Sequence, residues 1–111
     1  MNTLRNSVQL IGNLGQKPEI VNLENGKKLA KFSLATNESY KDSKGEKQTK
    51  TEWHNLIAWG KTADIVAMFL DKGKEIAISG KLTYNTYEDK EGNKRSKTEI
   101  VINEIVMFGK N

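Results

Sequence analysis

Apolar residues fall along this chain in short runs of period two, broken by clusters of Gly, Asn, Asp and Lys. Five segments fit strands: Val8–Gly12, Lys31–Thr36, Trp53–Trp59, Glu75–Tyr84 and Thr98–Phe108, all rich in Val, Ile, Thr and aromatic residues. Alternation is clearest in the fourth, where Ile76, Ile78, Gly80 and Leu82 share one face and Lys81 and Thr83 the other. Asn25-Gly26 marks a turn, and Asp89-Lys90-Glu91-Gly92-Asn93 a hairpin loop. The polar Lys41–Lys50 stretch predicts an exposed, mobile loop.

One segment changes period. In Lys61–Leu70 the pairs Ile65/Phe69 and Val66/Leu70 stand four apart, a helical stripe, with Gly73 placed as its left-handed terminator. Three strands, a short helix and two strands is the order of an all-β, five-stranded OB-fold barrel with one short helix between strands 3 and 4. No repeat or linker interrupts it, so residues 1–111 are expected to form a single OB-fold domain. Gly12 and Gly15 read as sites of a bulge or tight bend. No Gly-Lys-Ser/Thr follows them, so they build no phosphate loop.

Composition narrows the function. The chain holds no cysteine and one histidine, which removes disulfides, thiolate zinc sites and Cys nucleophiles. Its carboxylates are scattered singly, without the cluster a two-metal site needs. No enzyme, metal or cofactor is expected. No apolar run reaches bilayer length, so no membrane partner is expected. Without cysteine or the apolar stretch of a secretory signal, a reducing cytoplasm is the simplest expectation. The net charge of +4, carried mostly by lysine, leans toward phosphate contact without base choice.

The residues then carry a resemblance. Gly12-Asn13-Leu14-Gly15 with Pro18-Glu19, Phe32-Ser33-Leu34-Ala35-Thr36, Thr51-Glu52-Trp53-His54, Gly60-Lys61, Leu70-Asp71-Lys72-Gly73, Gly80-Lys81-Leu82 and Thr98-Glu99-Ile100-Val101 follow in order, from about Leu4 to Phe108. Together they resemble the bacterial single-stranded DNA-binding protein family. The resemblance implies a homotetrameric OB-fold that wraps single-stranded DNA in replication, repair or recombination, associated with the nucleoid. Matched by position, the stacking aromatics are Tyr40, Trp53, Trp59 and Tyr87. The matched phosphate contacts are Arg5, Lys61 and Lys72, with Lys41, Lys44 and Lys47 nearby. His54 falls at the subunit contact.

Tyr40 and Tyr87 stand where the best-known members carry tryptophan, and Trp59 where they carry phenylalanine. Thr86 and Ser96 depart from the pattern, and no role is carried to them. Members commonly continue into an acidic tip that recruits other proteins. This sequence stops at Met107-Phe108-Gly109-Lys110-Asn111, so the expectation is a short form without tail-mediated recruitment.

Parity within the third strand puts Trp53, Ile57 and Trp59 on one face and His54, Leu56 and Ala58 on the other, toward the core. Tyr87 shares the parity of Lys81 and Thr83. Tyr84 follows Leu82, which favours core or interface. Tyr40 stands at a strand-to-loop edge, where simple surface packing competes with stacking. Two other readings stay open: an RNA-binding or primosome-accessory OB-fold, and an oligomerisation module whose aromatics serve a protein interface.

Overall fold

The computed structural model describes residues 4–108. A 3-10 turn, Leu4–Asn6, leads into β1 (Val8–Leu14), β2 (Glu19–Asn22), β3 (Lys28–Lys41) and β4 (Lys47–Trp59). Helix α1 (Gly60–Phe69), β5 (Glu75–Glu88) and β6 (Lys94–Met107) complete it. The sheet order is β1-β5-β6-β4-β3-β2, and a further β1–β3 pairing closes the ring. β1 and β2 lie along the same edge of β3, split at residues 15–18. Counted as one interrupted strand they give the closed five-stranded OB barrel with its single helix between strands 3 and 4.

Closure needs two strands to cross at close range. β1 meets β3 at Asn13↔Ala35 and Leu14↔Leu34, while residues 8–13 pair with β5. At Gly12 a Cβ would collide with the Ala35 carbonyl, so glycine is what lets β1 serve both neighbours. Inside the ring the two-residue period fills the core with Ala30, Phe32 and Leu34 of β3, Leu56 and Ala58 of β4, Ile76 and Ile78 of β5, and Ile100 and Ile102 of β6. A register shift between Ser79 and Gly80 leaves Asn103 as an extra residue in β6, because Gly80 faces Ile102 and Ser79 faces Glu104. The inward positions therefore jump to Ile105 and Met107, both packed against the core.

Three expectations need correcting. The Lys41–Lys50 loop is confined to residues 42–46, because β3 and β4 stay paired out to Lys41↔Lys47. Both faces of that ribbon meet water, so no apolar alternation marks it. Only half of the helical stripe is buried: Ala63, Val66 and Leu70 cover the barrel, whereas Ile65 and Phe69 are exposed. The helix ends at Phe69, and Leu70 is already extended, its N–H still bonded to the Val66 carbonyl at 3.1 Å. Gly73, with φ +85, instead completes the turn of residues 71–74 and donates to the Leu14 carbonyl at 2.9 Å.

Gly12→Ala is expected to destabilise the fold by about 1–3 kcal/mol through overpacking. In denaturant melts its midpoint should fall at unchanged slope. Met68→Ala, on the exposed side of α1, should stay within about 0.5 kcal/mol of the parent.

Candidate nucleic-acid interface

Register decides which side chains share a face. In β4, Leu56 and Ala58 point inward, so Trp53, Ile57 and Trp59 point outward. β4 and β6 run parallel and touch at Leu56↔Ile100 and Ile57↔Val101. Val101 pairs in turn with Lys81, and Arg95 with Tyr87. The outward face thus runs from Trp59 and Trp53 across β6 to Tyr87 on β5. Their exposures of 62% for Trp53, 44% for Trp59 and 51% for Tyr87 leave each ring able to take a stacked base.

Past Leu56↔Ile100 the two strands diverge, each continuing with its own hairpin partner as an arm. Between the arms lies a cleft of about 350 Å³ lined by Trp53, His54, Asn55, Leu82, Ser96, Lys97, Thr98 and Ile100. A shallow groove of about 250 Å³ crosses the middle of the face, where Lys17, Lys31 and Lys97, with Glu19 and Glu99 among them, line it beside Ser33, Asn55 and Ile57. A third, of about 750 Å³, flanks Trp59 and holds Lys27, Lys28, Lys61 and Asp64. The face therefore combines flat apolar rings with mobile positive charge, the two requirements for holding a single strand of any sequence.

Local packing fixes the rings. A Cβ on Gly15 would run into the Trp53 indole and crowd Ser33 Oγ, so the ring rests on bare backbone at the end of β1. Ile57, 6% exposed, lies between Trp53 and Trp59 along the same face of β4. Among the described residues Glu99 is the one buried charged side chain, at 4% exposure. Asn85 Nδ2 donates to its carboxylate, and Lys97 Nζ lies 3.8 Å away. Those partners satisfy a negative charge that would otherwise sit uncompensated on a face lined by lysines.

The structure gathers some expected residues and separates others. Lys61 stands in the first turn of α1, in the Trp59 groove. Arg5 is exposed beside Asn6, whose amide extends the β5 edge by donating to the Leu82 carbonyl at 3.0 Å and accepting from its N–H at 2.8 Å. Lys41, Lys44 and Lys47 sit at the tip of the first arm, and Lys72 in the turn after α1. They line none of the three grooves described. Tyr40 belongs to β3, opposite Gln48, and by register faces away from Trp53 and Trp59. Thr86 and Ser96 pair with each other on the side of the second arm opposite Tyr87. Tyr84, expected in the core or at an interface, is no core residue of this chain, being 67% exposed where β5 has left the barrel. His54 is half-buried behind Trp53 and hydrogen-bonded through Nε2 to Thr36 Oγ1 at 3.0 Å. Sequence reasoning missed Lys17, Lys27, Lys28, Lys31 and Lys97. Only Lys31, at the parity of Ser33 in a recognised strand, gave any sign of its outward face.

A closed five-stranded barrel with outward aromatics and lysine-lined grooves belongs to the OB-fold class of nucleic-acid-binding proteins. Within it, the single-strand binding protein family model matches residues 5–108, and the chain belongs to that family, whose members bind rather than catalyse. The chain is 49% identical over 65 residues to single-stranded DNA-binding protein 1 of Chlorobaculum tepidum, covering 59% of this chain and 40% of that protein. It is 38% identical over 104 residues to single-stranded DNA-binding proteins of Neisseria meningitidis, covering 94% of this chain and 60% of theirs. The matches thus span between 40% and 60% of the curated relatives' length. Among solved structures, the Plasmodium falciparum SSB complex with ssDNA superposes with a TM-score of 0.85 at 30% identity, covering 98% of this chain and 100% of that one. A deletion mutant of the Thermus aquaticus single-stranded DNA binding protein gives 0.81 at 26% identity, covering 94% of this chain and 50% of that one. Among the described residues no helix is long and apolar enough to cross a membrane. Residues 109–111, where the expected lack of an acidic tip falls, lie outside the described residues.

Both arms end in the same clamp. Asp42 Oδ1 accepts from the N–H groups of Lys44 and Glu46, and its Oδ2 from Gln48 Nε2. Asp89 Oδ1 accepts from Glu91 and Asn93, and its Oδ2 from Arg95 Nε. The Glu46 N–H leads in holding the Asp42 carboxyl below its ordinary value, and the Arg95 guanidinium leads at Asp89. Folded values depressed below unfolded ones mean that the clamps are fully present above about pH 4 and fade as pH falls through the folded values. Amide exchange at residues 42–46 and 89–93 should therefore lose protection below about pH 4, before the barrel strands do. Protection there that falls only together with that of the barrel strands would contradict the clamp.

Proposed function

We propose that this chain binds single-stranded DNA without sequence preference, as one OB-fold unit of a homo-oligomer. The observation that carries this reading is the placement of Trp53, Trp59 and Tyr87 on one outward face crossed by lysine-lined grooves. Bases stack on the rings, and Lys17, Lys31, Lys61 and Lys97 follow the phosphates. Arg5 and the arm-tip lysines Lys41, Lys44 and Lys47, with Tyr40, extend contact to a strand that leaves this face. Lys72 supplies a further phosphate contact beyond α1. No reaction is assigned; the strand is held open and protected for replication, repair or recombination in the bacterial cytoplasm. The DNA complex of the Plasmodium relative supports the same ligand.

Self-association follows from an edge. Among the described residues no strand pairs with the outer side of β1 over residues 8–12, and exposed Ile11 and Val106 lie on the neighbouring outer face. An unpaired edge beside apolar side chains is suited to a second copy of this chain. That contact pairs two copies, and a second contact that includes His54 would join two such pairs into a tetramer.

Oligo-dT should quench the tryptophan fluorescence and bind far more tightly than duplex of equal length, with affinity falling steeply as salt rises. Trp53→Ala should weaken binding by about 1–3 kcal/mol while light scattering still reports the parent mass. Equal affinity for duplex and single strand would overturn the reading. Collapse of the assembly on Trp53→Ala, with binding unaffected, would favour a protein interface instead.

A further inference from the structure

The groove beside Trp59 carries an ion pair of its own. Lys28, the first residue of β3, reaches Asp64 of α1 with Nζ 2.7 Å from Oδ1, and both side chains remain partly exposed at 38% and 51%. The charged groups lining this groove are Lys27, Lys28, Lys61 and Asp64, so the carboxylate is the single negative group among three lysines. A base stacked on Trp59, which lines this groove, would carry its flanking phosphates into it. There the carboxylate already holds the position on Lys28 that a phosphate oxygen would take.

Resting on the reading above, we propose that Asp64 is a built-in competitor for DNA phosphate at Lys28, closed on the lysine in the free protein and displaced when a strand lies across Trp59. An exposed pair of this kind is held weakly enough to exchange. The exchange is nearly neutral in ions, because the freed carboxylate gathers a counterion as the phosphate loses one. Lys28 then adds little to the salt dependence of binding. The Lys97–Glu99 pair differs: Glu99 is buried and held by Asn85, so it stays in place when a strand binds.

Oligo-dT titrations over a range of salt on the full chain test this. Asp64→Asn should bind roughly two- to fivefold more tightly at low salt, the scale of an exposed charge. Its slope of log affinity against log salt should steepen by about 0.7, one further phosphate contact on a single strand. Lys28→Met should change little on its own, yet abolish both gains when combined with Asp64→Asn. Unchanged binding by Asp64→Asn, or a gain that survives Lys28→Met, overturns the proposal. Failure of the parent chain to bind oligo-dT would instead defeat the functional reading itself. Thermal melts of all three variants exclude a folding defect as the source of any loss.

Discussion

Two residue pairs, Leu56↔Ile100 and Ile57↔Val101, join β4 to β6 and set the phase of everything around them. Their inward members close the core, and their outward members form the floor between the tryptophans. A slip of one residue would send Trp53 and Trp59 inward and expose Leu56, so the buried face fixes the outward one. Because the contact is so short, the hairpins beyond it are free to diverge. The same junction that seals the barrel creates the cleft between its arms.

The outward face keeps large rings in water, which a monomer avoids unless they serve a purpose. Its support is mostly backbone and aliphatic: Gly15 beneath Trp53, Ile57 between the tryptophans, and Arg95 across from Tyr87. Electrostatics are tuned by pairing. Glu99 is quieted by Asn85 and Lys97, and Lys28 is matched by Asp64, so the positive field is more modest than the lysine count suggests.

The sequence was legible where one face of a strand is buried. Ile76, Ile78 and Gly80 announce β5, and the odd spacing of Trp53, Ile57 and Trp59 places them together before any register is known. Ordered motifs did the rest for fold and family. What stayed hidden depends on pairings between distant segments. Residues 47–50 form strand although both faces meet water, so the two-residue period has nothing apolar to mark it. Ile65 and Phe69 look like core on a helical wheel, but α1 covers one barrel end and buries only its Ala63–Val66 side, with Leu70 buried just past its end. The bulge at Asn103 reverses parity in the middle of an apolar run. Lys17, Lys31 and Lys97 converge only once β1, β3 and β6 are wound into the ring.

On the proposed function, a single strand lies on the outward face of β4, β6 and β5. The chain has two tryptophans, both on that face, so their indole N–H resonances are direct reporters of it. A ¹H–¹⁵N titration with oligo-dT should shift both indole signals together with the amides around Lys31, Lys97 and Tyr87, leaving those around Ile11 and Ala77 in place. Shifts centred on Ile11 and Ala77, with both indole signals unmoved, would contradict the account.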